Sequence, residues 1–315
     1  MVGSQLMRYF TDVQGCQRGL DLFVYDKNPA RGMQDKLELA DIIFLCVPTP
    51  ASKKTSACDT SALEDIVTSI TPAKIFVIKS TVTPGTTARL QKKYPHHQFL
   101  FNPEFLTESR AWEDTVRPDR QVVGFTETSG SHAAHVLSLL PRAFFMSPGV
   151  LGTYDFMRVN ATEAEMGKYA GNIFGAMKVS YANMLADICE ATERMLGKEK
   201  NTGVVAYPHV RAILAHDSRI GDAWLDVEHN LYRGFGGACF PKDVSAFRAH
   251  AKTLLKKTPQ NAPQRKRLEK AMKFLDALWE YNEALLASQG LTIQDVSVHD
   301  REWVQMKLKN KKKRT

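Results

Sequence analysis

At 315 residues, with 43% hydrophobic and 24% charged side chains, the chain can fold into more than one domain, and its longest apolar runs are far too short to cross a bilayer. The formal charge of +8 invites a nucleic-acid reading, yet Lys307, Lys309, Lys311, Lys312, Lys313 and Arg314 crowd into the last stretch without interleaved aromatics, and the rest of the chain is close to neutral. Five cysteines, odd in number and without a CxxC pair, suggest neither a disulfide framework nor a zinc site, and the nine histidines show no ligand spacing, so no metal, nucleic-acid or membrane partner is expected and a cytoplasmic location is.

The chain opens Met1-Val2-Gly3, where Gly3 reads equally as the last glycine of a dinucleotide fingerprint or as a flexible starting residue. Strand-like runs then alternate with polar or helical stretches: Leu22–Tyr25, Ile42–Val47, Ile75–Ile78, Phe99–Phe101 and Gln121–Phe125. This alternation predicts an α/β fold, a doubly wound parallel sheet with helices on both faces. Asp26 closes the first run, where an acidic residue commonly accepts ribose hydroxyls, and reads otherwise as a turn or cap aspartate.

From Asn160 to about Leu196 the period changes. Met166, Tyr169, Ala170, Ile173, Met177, Tyr181 and Leu185 recur at steps of three and four, which predicts a long helix whose apolar stripe is core or dimer seam. Lys168 and Asn172 share one face of it. A second helix is predicted from Asp243 to about Leu255, a proline-containing loop over 256–266, and an amphipathic helix over Leu268–Leu286.

The stretch GFGGACFPKD, Gly234 to Asp243, sets one cysteine in a glycine-rich loop with charge close behind. A structural cysteine needs neither. At the mouth of a predicted helix, the dipole and Lys242 both favour the thiolate of Cys239, and Asp243 is placed to orient the thiol or handle a water. A nucleophilic cysteine beside a dinucleotide fold points to covalent aldehyde oxidation.

With these residues in hand, the sequence resembles the UDP-glucose/GDP-mannose dehydrogenase family. Gly236 to Asp243 matches its cysteine signature. Val47–Pro50, Lys79–Val82, Asn102–Ser109, Arg117–Arg120, Glu163–Asn172 and Arg219–Gly221 look like its other motifs in the family's order, over about residues 1 to 290. The resemblance implies a Rossmann-like NAD-binding domain over 1–155, an all-α central dimerisation domain over 156–290 and a basic, disordered tail over 291–315. It also implies NAD as cofactor, a nucleotide-sugar substrate with UDP-glucose foremost, and a homodimer formed through the long helix. The reaction would be a four-electron oxidation of the sugar C6 alcohol.

Carried over by position, Cys239 is the nucleophile, Lys168 and Asn172 steady the oxyanion, Asp243 and Thr81 organise the hydrolytic water, and Glu108 is a candidate acid/base. Glu104, Phe105, Leu106, Thr107 and Glu108 line the sugar together with Lys168, Asn172 and Tyr232, Gly236 admits it closely, and Arg219 reaches a nucleotide phosphate from the partner subunit. Gly3, Asp26, Arg31, Thr49, Thr81, Glu108 and Lys242 serve the cofactor. Family members begin with a strand and a complete glycine fingerprint and carry a C-terminal nucleotide-binding domain, so a short form is expected here. The alternatives are a non-catalytic form that keeps the dimerisation core and a two-electron hydroxyacid dehydrogenase in which Cys239 is structural.

Overall fold

The computed structural model describes residues 2–50, 52, 58–143, 159–196, 205–227 and 231–297. They form two compact units, the first ending at Lys168 and the second starting at Tyr169. The division falls within one long helix.

In the first unit α1 (Val2–Arg8) leads into a π-helical turn at Tyr9–Val13. There follow β1 (Ile42–Leu45), α2 (Ser61–Ser69), β2 (Ile75–Ile78), α3 (Thr86–Lys93), β3 (Gln98–Phe101), α4 (Ala111–Val116), β4 (Gly124–Phe125) and α5 (Gly130–Leu139). The four strands lie in the order β1-β2-β3-β4. β1, β2 and β3 run parallel, with Ile42 opposite Ile75 and Ile75 opposite Gln98. β4 is antiparallel to β3 and only two residues long, so the last predicted strand is shorter and reversed.

Alternation sends Ile43, Leu45, Phe76, Ile78, Phe99 and Phe101 to one face, where α2, α3 and the start of the long helix cover them with Leu63, Val67, Leu90, Ala161 and Ala164. Val77 and Leu100 point to the other, under Leu6 of α1 and Val136 and Leu137 of α5. Burial on both faces explains why these strands read as continuous apolar runs. Each fully buried Phe or Leu here contributes roughly 1.5–3 kcal/mol.

One predicted strand does not join the sheet. Leu22–Tyr25 makes only local pairings: Asp26 N–H donates to Met33 O, Asp35 N–H to Val24 O, and Tyr25 is half exposed. β-character without a ladder partner leaves a loop-like ribbon.

The long helix is α6 (Ala161–Leu196), matching its predicted bounds. The second unit adds α7 (Tyr207–Ala215), α8 (Phe240–Lys257), α9 (Arg265–Ser288) and α10 (Ile293–Val296). Tyr169, Ile173 and Ala176 of α6 pack with Val244 and Ala246 of α8 and Met272, Leu275 and Leu278 of α9. Residues 291–297, expected in the tail, are folded: Thr292 and Asp295 close a reciprocal cap on α10, and Leu291 and Val296 are buried. The remainder of that tail, 298–315, lies outside the described residues, as do His229 and Asn230 ahead of the cysteine loop.

Candidate functional site

The first unit presents its residues at the C-terminal ends of the parallel strands, where open α/β sheets bind ligands. Thr49 Oγ1 donates to Thr81 O at 2.6 Å and Ser80 Oγ to Val47 O at 2.6 Å, which ties the tips after β1 and β2 together. Asp26 accepts from Arg31 Nη1 at 2.9 Å and from Asn28 N–H at 2.9 Å, so the expected ribose pair is bonded to itself. A Cβ at Gly3 would stand 3.3 Å from Cys46 Cβ. That is a close approach of the kind which the last glycine of a dinucleotide fingerprint provides between helix and strand.

Past β3 the chain from Asn102 to Thr107 has no regular structure and is held by side chains. Lys79, 5% exposed, donates its ammonium to Asn102 Oδ1 at 2.6 Å and pairs with Glu104 Oε2 at 3.1 Å. Glu104 Oε1 accepts from Phe105 N–H at 2.9 Å, and Thr107 N–H donates to Asp114 Oδ2 at 2.8 Å. The Phe105 ring carries the Arg120 guanidinium 3.7 Å from its centroid and the Lys168 ammonium 5.4 Å away. Leu106 is half-buried between these points, and Glu108 opens a short 3₁₀ turn.

Glu165, fully buried on α6, accepts from Thr87 N–H at 2.8 Å, Thr87 Oγ1 at 2.6 Å and Gly85 N–H at 2.5 Å. It thereby caps α3 from a distant helix, one turn before Lys168. Burial pushes its carboxyl above the ordinary range, against the pull of those hydrogen bonds.

In the second unit Cys239 is exposed at the N-cap of α8, with Pro241 in the first turn. Gly237 at φ 74° and Gly234 at φ 109° turn the loop through the left-handed region. Its backbone is gripped at every second residue. Gln289 brackets Arg233 through both N–H and C=O, Asn282 brackets Phe235 in the same way, and Gly237 N–H donates to Val296 O at 2.7 Å. Phe240 anchors the cysteine's other side against α6: a Cβ at Gly175 would stand 2.6 Å from its ring. Trp224, at a strained φ of 66°, meets the same ring edge-on.

Asp243, 1% exposed, is the centre of this part. Asn172 Nδ2 donates to one oxygen at 2.5 Å and Lys242 Nζ to the other at 2.5 Å. The Lys242 ammonium, expected to favour the thiolate, is thus paired with Asp243, while Cys239 sits at the N-terminus of α8, where a helix dipole favours negative charge. Asn172, expected at an oxyanion, commits one of its two amide hydrogens to Asp243. The space beside Gly236, expected to admit a sugar, is taken by the Tyr232 hydroxyl and Val296 of this chain. Arg219 is exposed and forms a two-point pair with Asp217.

Lys79, Asn102, Arg120, Glu165, Asn282 and Gln289 were assigned no role from the sequence. Four lie inside or beside motifs that were recognised, but nothing in a single sequence says which motif members point at one another. Among the described residues no group of His, Cys, Asp and Glu could hold a metal ion, and no helix is long and apolar enough to cross a membrane.

Comparison with known proteins identifies both units. The NAD binding domain of the UDP-glucose/GDP-mannose dehydrogenase family matches residues 28–139 and its central domain residues 162–262. The chain is 35% identical over 228 residues to UDP-glucose 6-dehydrogenase TuaD of Bacillus subtilis, covering 69% of this chain and 44% of that one. It is 33% identical over 220 residues to UDP-glucose 6-dehydrogenase of Rickettsia conorii, covering 67% and 45%. A UDP-glucose dehydrogenase structure from Pyrobaculum islandicum superposes with a TM-score of 0.58 at 25% identity, covering 90% of this chain and 61% of that one. The chain spans less than half the length of these curated relatives. The first unit is a Rossmann-like domain whose cofactor is NAD, the second is the helical central domain, and the chain belongs to the UDP-glucose/GDP-mannose dehydrogenase family.

Proposed function

We propose that the protein oxidises the C6 alcohol of a nucleotide sugar to a carboxylate, with UDP-glucose as substrate and two NAD reduced per sugar. The observation that carries this is the exposed Cys239 at the N-terminus of α8, four residues before a buried carboxylate that already holds Asn172 and Lys242. NAD, when bound, supplies the hydride acceptor. Cys239 Sγ adds to the aldehyde carbon, loss of hydride from that adduct leaves a thioester, and water releases the carboxylate and restores the thiol. Lys168 and the remaining amide hydrogen of Asn172 donate to the oxygen that gains charge. Asp243 holds Asn172 in orientation and manages the proton of the attacking water, with Thr81 and Glu108 in support. Glu104 has both oxygens engaged, by Phe105 N–H and by Lys79.

The same reading includes a homodimer in the cytosol. Phe174, Tyr181, Met184, Ile188 and Met195 are each more than two-fifths exposed and recur at heptad-like steps along α6, a seam suited to a second copy. An Ile188→Glu variant that sediments as a monomer where the parent is a dimer supports that seam, and unchanged sedimentation refutes it.

The deciding experiment counts NADH per UDP-glucose for the parent and for Cys239→Ser. About two NADH per sugar with turnover lost in the serine variant supports the thioester route. One NADH per substrate, or full activity in the variant, overturns it.

A further inference from the structure

Lys79 follows β2 directly, with its side chain 4% exposed, whereas the Glu104 carboxylate it meets is 23% exposed. The ammonium is therefore the inner member of the pair and the carboxylate the outer, at the sheet edge where the nucleotide sugar is proposed to bind. Its neighbours are committed to it. Asn102, fully buried, receives the ammonium on Oδ1 and sends its amide hydrogens to Gln121 Oε1 at 2.8 Å and Val122 O at 2.7 Å, while Gln121 Nε2 donates to Pro141 O at 3.2 Å. The Cys46 thiol, pushed up to about 11 by burial, also feels the charges of both Lys79 and Glu104.

A buried ion pair is weak evidence for stability, because apolar residues of the same volume commonly serve a core as well or better. A cation retained here, with its acceptors on the irregular stretch after β3, calls for another reason. We infer that Lys79 is a positioning residue for the substrate segment: it acts through Asn102 and Glu104 to fix Asn102–Thr107, and so sets where Glu104 and Phe105 meet the sugar. It touches no reacting atom. This rests on the proposed function, since the segment matters to catalysis only if the sugar binds there.

The test compares the parent chain with Lys79→Met, Lys79→Arg, Glu104→Gln and the Lys79→Met/Glu104→Gln double variant. Hydrogen exchange followed by mass spectrometry reads the anchor without needing activity. Lys79→Met is expected to speed exchange in residues 103–107 at least about tenfold while β2 and β3 change less than about twofold, and Lys79→Arg to restore most of the protection. In turnover, Lys79→Met is expected to raise the KM for UDP-glucose by about ten- to a hundredfold with the KM for NAD within about twofold, since a displacement of about 1 Å in a positioning element has effects of that size. Adding Glu104→Gln is expected to speed exchange over 103–107 little further, because the two act in series in anchoring the segment. Unchanged exchange over 103–107, equal acceleration across the whole first unit, or equal rises in both KM values overturns the inference. A parent chain that makes no NADH from UDP-glucose overturns the proposed function instead, and the exchange rates still decide whether Lys79 anchors the segment.

Discussion

Each unit holds a lysine, an asparagine and a carboxylate bound into one cluster, and the two clusters are wired oppositely. In the first, Lys79 is the buried centre and distributes hydrogen bonds to Asn102 and Glu104. In the second, Asp243 is the buried centre and collects them from Asn172 and Lys242. A central ammonium donates in several directions and so fixes the chain segments that carry its acceptors. A central carboxylate collects donors and aligns them and, in the proposed reaction, keeps a proton acceptor beside the attacking water. The same chemical groups brace chain segments in one place and, in the proposed reaction, handle a proton in the other, and the two clusters differ in which member is buried.

The contrast can be broken from either end. Asp243→Asn is expected to have the largest effect, a fall in turnover on the order of 10³-fold seen in steady-state NADH formation, because the amide replaces one of the two accepting oxygens with a donor and cannot take a proton. Asn102→Leu comes next: it strips Lys79 of an acceptor and Gln121 of a donor, and should lower the urea unfolding free energy by about 3 kcal/mol. Lys242→Met takes a part-exposed ammonium away from the buried Asp243 carboxylate, which keeps Asn172, and a stability loss of about 1–2 kcal/mol is expected from the same measurement.

The smallest effect sharpens the comparison through a third buried carboxylate. Glu165 is held by backbone amides and a hydroxyl, and its carboxyl lies above the ordinary range. The folded state thus binds its proton more tightly than the unfolded chain does. The stability it contributes is complete below the ordinary glutamate range and is lost as pH rises through the raised value. Melting temperatures taken across that window should fall more with rising pH in the parent than in Glu165→Gln, and parallel slopes would remove Glu165 from the account.

Much of this was legible in the sequence. Three parallel strands, the full extent of α6 and the cysteine at a helix mouth all follow from period and punctuation, because these are local signals. Leu22–Tyr25 misled because strand composition says nothing of whether a partner lies alongside. The two clusters were invisible for a related reason. Asn172 meets Asp243 across 71 residues and Lys79 meets Asn102 across 23, and no spacing rule connects them. Lys242 was read as a partner for Cys239 by adjacency, whereas the structure gives its ammonium to the residue on the other side.

The grip on the cysteine loop bears on when the protein becomes competent during synthesis. Arg233, Phe235 and Gly237 are held by Gln289, Asn282 and Val296, between 47 and 59 positions further along the chain. A ribosome-bound chain that has exposed Cys239 but not yet α9 and α10 has the cysteine, the proposed nucleophile, without its setting. The loop acquires its shape only when those later residues emerge and close contacts of long sequence separation, a slow class of folding event. The shape of the loop around Cys239 is therefore a late property of the nascent chain, delayed until most of the helical unit has left the exit tunnel.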